Sequence, residues 1–362
     1  MSFPDNFLVF KGTPSGKIVG TSVPRKKPEG AQVLVEIHSS GFCYTDLHYL
    51  QQDMVLGHEG AGVVKELGPK TRYLKIPFLA RNVSWCLTML FHKYYSGDRV
   101  GFGWCHDSCG HCDECISGNG CHCRVDRHQF GTHERDQGGF ASHAIWQEDF
   151  LYPIPDRMSL EDAAPMMCAG ITVFAPMARH GLQPTDRVGV VGIGALGHLA
   201  IQFAAKMGCE VVAFSGSESK REEAMQFGAC EFVLTPRGSA EKIMMKGKLL
   251  NHLFVTSSTL PKSEGWQPFI DLMASFGTIY PLTVAFGDIS FPALPALLKS
   301  LAFRPCAHGS RLMMLQMLEF AVRHGIKPKI ERFPLDEAGL VAAQERLLKG
   351  GVKYKAVMEA KV

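Results

Sequence analysis

The sequence predicts an α/β protein of two parts: a β-rich module, and a doubly wound parallel sheet placed between the module's two ends. Three observations predict it. Up to about residue 155, short apolar runs alternate with glycine-rich turns, which is how strands read. From Arg187 onward, strand and helix patterns alternate, and βαβ alternation makes a parallel sheet with right-handed crossovers. Between the first such strand and its helix stands Gly192-Ile193-Gly194-Ala195-Leu196-Gly197, a G-x-G-x-x-G turn in the context that motif requires.

Composition narrows the function classes. The 362 residues are 46% hydrophobic, enough for ordinary cores and too apolar for intrinsic disorder. Lys plus Arg number 38 against 35 Asp plus Glu, a net charge of +3 with no basic block, so a protein living on nucleic-acid phosphates is excluded. Met1–Phe10 lacks a basic flank and a long apolar stretch, so no secretory signal is expected there. The apolar run Ile76–Phe91 is broken by Arg81 and Asn82 and falls short of the roughly 20 residues a membrane span needs. A soluble, cytoplasmic, reducing setting is expected. There the twelve cysteines mean metal or catalysis rather than disulfides.

The elements follow in order. VLVEI (33–37), GAGVVKEL (60–67) and the turn-and-strand SGDRVGFG (96–103) build the first module. Residues 109–145 carry most of the Cys and His with almost no periodicity, so metal is the expected source of order. Ser159 caps a helix or helix pair that Gly181 ends. RVGVVGIG is a buried strand, and residues 195–208 are a helix with Leu196, Leu199, Phe203 and Met207 on one stripe. EVVAF, a helix over KREEAMQFGA, then EFVL, HLFVT and GTIYPL continue the alternation. From about residue 308 a helix and the strand YKAVME form a tail able to rejoin the first module. The predicted domains are 1–158 with 308–362, and 159–307.

Two groups of residues point to metal. Cys109-x2-Cys112-x2-Cys115-x7-Cys123 offers four thiolates at tight spacing, enough to close a tetrahedron around zinc with no open position. Cys105, Cys121, His111 and His122 are nearby competitors, and spacing alone does not exclude Cys121 in place of Cys123. A dispersed set, Cys43, His58 and Cys168, offers two thiolates and an imidazole, leaving a fourth position for water or substrate. Glu59 adjoins His58. Thr45 and His48 supply a hydroxyl and an imidazole to carry an alcohol proton outward, and Asp46 can hold the far nitrogen of His58. Each of these residues taken singly also reads as an ordinary core, turn or surface residue.

The glycine turn brings a helix N-terminus to a pyrophosphate. The following strand ends in Ser215 rather than in the carboxylate that selects NAD. Ser215, Ser217, Lys220 and Arg221 offer hydroxyls and positive charge to a 2′-phosphate, which favours NADP(H) over NAD(H). Lys220 and Arg221 also read as the solvated first turn of a helix, and Glu218 stands close to both.

In order along the chain, GFCYTDLH, GHEGAG, GDRVGFG, the four-cysteine loop, CAGIT and GIGALG resemble the zinc-containing alcohol dehydrogenases of the medium-chain dehydrogenase/reductase superfamily. The NADP-dependent, cinnamyl-alcohol-dehydrogenase-like branch, in a fungal-type version, is the nearest in look. The resemblance implies a GroES-like catalytic domain, a Rossmann domain, and reversible hydride transfer between a primary alcohol or aldehyde and the nicotinamide. It implies catalytic zinc on Cys43, His58 and Cys168, with Glu59 able to exchange onto the metal, and structural zinc on Cys109, Cys112, Cys115 and Cys123. It also implies a Thr45–His48 proton relay, Thr172 near the nicotinamide, Arg311 as a basic cofactor contact, and a homodimer or homotetramer. The partner is a small alcohol or aldehyde, with no nucleic acid and no membrane.

The chain departs from that family in residues 76–96, an apolar stretch between Lys75 and Gly97 that matches no family element. It reads either as a translated intron or as a genuine insertion over the active-site mouth or an oligomer interface. Rival readings of the whole are a zinc-free quinone or enoyl reductase of the same superfamily, and a catalytically impaired NADP- and zinc-binding paralogue.

Overall fold

The computed structural model describes residues 5–72, 96–235, 242–285 and 287–361. Of the stretch 76–96, all but Ser96 lies outside the described residues. The chain forms two units: Met1–Cys168 with Ser310–Val322 and Ile330–Val362, and Ala169–Gly309 with Arg323–Lys329.

The first unit opens with β1 (Asn6–Gly12) and β2 (Ile18–Pro24), an antiparallel pair. Next come β3 (Gln32–Phe42), β4 (Gly60–Leu67), β5 (Arg99–Phe102), β6 (Cys105–Ser108), α1 (Asp113–Ile116), β7 (Arg127–Gln129), β8 (His143–Gln147) and β9 (Tyr152–Pro153). Strand β3 is central. Val33, Leu34, Val35 and Ile37 are buried on both of its faces, and β4, β8 and the last strand of the chain all pair with it. Trp146, Phe102 and Phe150 fill the space beneath it. Helix α2 (Leu160–Pro165) is capped by Ser159, whose Oγ accepts from the Asp162 amide at 3.1 Å, a contact worth about 1 kcal/mol. The sequence placed this helix with the second domain. It belongs to the first unit instead, because Ala163, Ala164 and Pro165 are buried against β3, β4 and β5.

The second unit contains α3 (Ile171–Arg179), β10 (Arg187–Val191), α4 (Gly197–Lys206), β11 (Glu210–Ser215), α5 (Arg221–Gln226), β12 (Glu231–Leu234), β13 (Leu250–Val255), α6 (Gln267–Leu272), β14 (Met273–Pro281), α7 (Ala293–Leu298) and β15 (Ala302–Phe303). All pairings are parallel and the order is β12-β11-β10-β13-β14-β15. Strand order reverses beside β10, the place where doubly wound sheets bind ligands. Helix α4 is shorter at both ends than the predicted 195–208. Of its predicted stripe, Leu199 and Phe203 are fully buried, while Leu196 and Met207 are partly exposed.

The chain then passes through α8 (Arg311–His324), β16 (Ile330–Pro334), α9 (Glu337–Leu348) and β17 (Lys355–Glu359). Strand β17 pairs antiparallel with Ser39–Phe42, so the two chain ends share one sheet, β16-β17-β3-β4-β5-β9. No helix among the described residues is long and apolar enough to cross a membrane.

Candidate active site

Three segments of the first unit converge on one cluster. Cys43 follows β3 and leads into the 3-10 helix Tyr44–Tyr49. His58 and Glu59 stand immediately before β4. Cys168 sits in a π-helical turn, Met166–Gly170, just after Pro165, which lacks the amide hydrogen that would continue a regular helix. One ligand atom from each of Cys43, His58, Glu59 and Cys168 lies within 4.8 Å of all the others.

The local bonding suits a metal. Asp46 is fully buried. Its Oδ1 is 2.9 Å from His58 Nδ1 and accepts from the Gly57 amide at 3.2 Å, while Oδ2 accepts from the Cys43 amide at 2.9 Å. Aspartate thus sets the proton on Nδ1 and leaves a lone pair on Nε2. That Nε2 is buried with no hydrogen-bond partner, as is Glu59 Oε2. An orphaned imidazole nitrogen facing two thiols is costly unless something electrophilic occupies the space between them. A hydrogen bond from Cys168 holds the Cys43 thiol well below its ordinary range; burial opposes this and Lys355 assists it.

Two participants escaped the sequence reading. Lys355, on β17 and 2% exposed, donates from Nζ to Glu59 Oε1 at 2.6 Å. Burial pushes the Glu59 carboxyl up to about 7, against the pull of the Lys355 charge. The one signal for Lys355 was a lysine placed just before the apolar run Ala356–Met358 of the strand YKAVME. Gly41 is the other: a Cβ there would lie 1.8 Å from Glu59 Oε2, so only glycine leaves room for the carboxylate.

Thr45 and His48 are three residues apart on the 3-10 helix, where such side chains eclipse. Thr45 is half-buried and His48 exposed.

The second cluster is Cys109, Cys112, Cys115 and Cys123. Their sulfurs are 3.5 Å (Cys112–Cys115), 3.7 Å (Cys112–Cys123) and 3.9 Å (Cys109–Cys115) apart. A tetrahedron with metal–sulfur bonds of about 2.3 Å has edges of about 3.8 Å, so the set fits zinc. Burial would raise the Cys123 thiol, but the surrounding amides, led by that of Asp126, bring it down to about 6. Cys121 is not in this cluster. It is bonded to Cys105, which corrects the expectation that no cysteine is spent on a disulfide. The physical reason is the pairing of β6 with β7, which turns Cys105 inward onto the Gly120–His122 turn.

In the second unit the glycine loop follows β10. Gly192 has φ +90°, and a Cβ there would meet Ser257 Cα at 2.7 Å. A Cβ on Gly194 would meet nothing within 4 Å, so that side is open to a ligand. At Gly197 a Cβ would lie 1.9 Å from the Gly192 carbonyl oxygen, so the start of α4 packs directly on the loop. Ala195 and Leu196 complete the turn, and Thr256, another residue sequence reasoning missed, donates to the Gly192 carbonyl at 2.7 Å. The loop therefore fits a pyrophosphate on a helix N-terminus.

Ser215 ends β11, nearly buried, and its Oγ accepts from the Ser217 amide at 3.2 Å. Arg221 is paired with Glu218 (Nη2–Oε2 3.1 Å) and lies over the Phe232 ring. Lys220 is in the turn between them. Thr172 Oγ1 donates to the Ala307 carbonyl at 3.3 Å. Arg311 is not part of the glycine loop's unit. It belongs to the first unit, where its guanidinium bonds Asp149 at 2.7 Å and its amide bonds the Gly118 carbonyl, so its charge is already engaged beside the four-cysteine loop.

Comparison with known proteins agrees with this layout. Residues 29–156 match the family model for the alcohol dehydrogenase GroES-like domain, and residues 195–323 match that for zinc-binding dehydrogenase. An alcohol dehydrogenase of Geobacillus stearothermophilus is 31% identical over 345 residues, covering 93% of this chain and 94% of that protein. Cinnamyl alcohol dehydrogenase 8 of Arabidopsis thaliana is 30% identical over 360 residues, covering 95% and 92%. A solved cinnamyl alcohol dehydrogenase of Sorghum bicolor superposes with a TM-score of 0.83 at 28% identity, over 98% of this chain and 97% of that one. Two matched domains, relatives aligned almost end to end, and a thiolate–imidazole cluster folded from distant segments lead to one assignment: the chain is an oxidoreductase that belongs to the zinc-containing alcohol dehydrogenases of the medium-chain dehydrogenase/reductase superfamily, in their cinnamyl-alcohol-dehydrogenase-like branch.

Proposed function

We propose that the chain is a zinc-dependent alcohol dehydrogenase and aldehyde reductase that transfers hydride reversibly between NADP(H) and a primary alcohol or aldehyde. The observation that carries this reading is the orphaned Nε2 of His58, facing Cys43 and Cys168 in a buried cluster. Zinc bound by those three residues supplies Lewis acidity toward an alcohol or carbonyl oxygen, and a nicotinamide bound at the glycine loop supplies or accepts the hydride.

The chain's own residues do the rest. Asp46 holds His58 in the ligating tautomer. In alcohol oxidation, Thr45 takes the hydroxyl proton and His48, exposed one 3-10 turn on, delivers it to water; aldehyde reduction runs the same relay inward. Glu59, paired to Lys355, is the carboxylate within reach of the ligand cluster. Cys109, Cys112, Cys115 and Cys123 leave no open position and hold a second, structural zinc.

Ser215 at the end of β11 supports NADP(H) over NAD(H), since no carboxylate stands there to repel a 2′-phosphate. Ser217 and Lys220 belong to that binding surface in this reading, and Thr172 is the residue assigned to the nicotinamide. Assembly into a homodimer or homotetramer belongs to the same reading. It is supported by exposed Leu294, Leu297 and Leu298 beside the edge strand β15, and by Phe276, whose amide bonds the Lys299 carbonyl.

The test measures zinc per chain and NADPH oxidation over a panel of aromatic and aliphatic aldehydes. About two zincs with turnover is the expected result. Cys43→Ala should lose one zinc and all turnover; unchanged activity defeats the ligand assignment. One zinc in the parent protein with no turnover favours the catalytically impaired alternative.

A further inference from the structure

The bonded pair Cys105 and Cys121 stands at the neck of the four-cysteine loop. Cys105 begins β6, four residues before Cys109, and Cys121 lies in the Gly120–His122 turn, two residues before Cys123. Their Cα atoms are 5.8 Å apart, a span that suits a disulfide, and both side chains are buried. The surroundings fix both strands of the neck. Gln129 Nε2 donates to the Cys121 carbonyl at 3.1 Å and comes within 3.9 Å of Cys105 Sγ, and Trp146 Nε1 donates to the Cys105 carbonyl at 3.0 Å. The sequence separation of 16 residues encloses Cys109, Cys112 and Cys115 and leaves Cys123 just outside.

We propose that Cys105 and Cys121 form a redox-controlled clasp that governs how tightly the four-cysteine loop retains its metal. The effect of the cross-link on metal rests on the reading of the four cysteines as a zinc site. To release zinc, a thiolate must swing out, which requires the loop to open. A bond across the neck removes most of the open conformations from the accessible ensemble, so release slows. With the bond reduced, the neck keeps the Gln129 and Trp146 hydrogen bonds and the β6–β7 pairing but loses its covalent tie.

When the neck opens and exposes its sulfurs, the clasp closes by thiol–disulfide exchange with a small-molecule disulfide such as glutathione disulfide. One protein thiolate attacks it and releases the first glutathione. The second protein thiolate then displaces the other glutathione from the mixed disulfide. Two protein thiols and one glutathione disulfide become one protein disulfide and two glutathione thiols, with electrons and protons balanced.

The first arm of the test incubates zinc-loaded protein with glutathione disulfide, denatures it, alkylates free thiols and digests it for mass spectrometry. A peptide pair joined through Cys105 and Cys121 is expected; alkylation of both overturns the proposal. The second arm follows zinc transfer from the oxidised protein to a chromogenic chelator, with and without prior treatment by a phosphine reductant. Reduction should speed the release of one zinc by about tenfold or more. The Cys105→Ala/Cys121→Ala protein should not respond to the reductant. Equal rates in the parent, or an equal response in the double variant, overturn the clasp. A protein that forms the cross-link and carries no zinc on the four cysteines overturns the metal reading, and the clasp with it.

Discussion

Replacing Lys355 with methionine keeps the length of the side chain and strips Glu59 of its counter-charge. The two groups meet at 2.6 Å with side chains 2% and 0% exposed, so water cannot take over from the lost ammonium. Removing one partner of such a buried pair costs roughly 3–5 kcal/mol. For a domain of this size that corresponds to a fall of roughly 10 °C in Tm. Glu59→Gln makes the opposite error, burying an unpaired lysine, and should cost a similar amount. Together the changes leave two neutral groups in contact, so the double variant should be far less destabilised than the sum, with a coupling of at least about 2 kcal/mol. The assay is equilibrium denaturation of the parent, both single variants and the double variant, each checked first for zinc content. Effects that add to within about 0.5 kcal/mol, or a Lys355→Met cost below about 1 kcal/mol, would refute the view of Lys355 as the charge that makes a buried Glu59 tolerable beside the cluster.

Three further outcomes are expected. Asp46→Asn disturbs the His58 tautomer and should weaken zinc binding at the Cys43–His58–Cys168 site about 10–100-fold in a chelator competition; unchanged affinity would remove Asp46 from its supporting role. His106 is buried, stacked at 3.7 Å on Trp146, and depressed by burial to about 3. The unfolded chain takes up this proton near the ordinary pKa and the folded chain does not, so stability falls as pH drops through the window from about 6.5 to about 3. Between pH 6.5 and 5 that loss is about 1.6 kcal/mol, and His106→Phe should flatten this part of the stability profile; an unchanged slope contradicts it. Ser215→Asp places a carboxylate at the end of β11 and should shift the ratio of kcat/KM for NADPH over NADH by at least about tenfold toward NADH, with no shift meaning that selection lies elsewhere.

Much of the second unit was legible in the chain because its information is local. A buried strand, a glycine turn and an amphipathic helix follow one another within residues 187–206, and each is coded by its own periodicity or residue type. The four-cysteine loop was legible for the same reason, its ligands being close in sequence. What spacing could not do was choose among neighbouring cysteines. That choice depended on which face of the Gly120–His122 turn met β6, and the β6–β7 pairing gave Cys121 to Cys105 and Cys123 to the four-cysteine cluster.

The sequence by itself determined which chemistries were available: thiolates, imidazoles, a phosphate-binding turn, and no acid at the end of β11. Those follow from residue identity and short-range pattern. Only the tertiary structure decided which groups meet. Lys355 reaches Glu59 across 296 positions because β17 returns to pair with β3. Gly41 matters because that same sheet brings the Glu59 carboxylate over it, and Arg311 is bound to Asp149 in the first unit. Burial then set the charges, since a carboxylate, a lysine and a histidine behave as ordinary surface groups until packing removes their water and leaves them only each other.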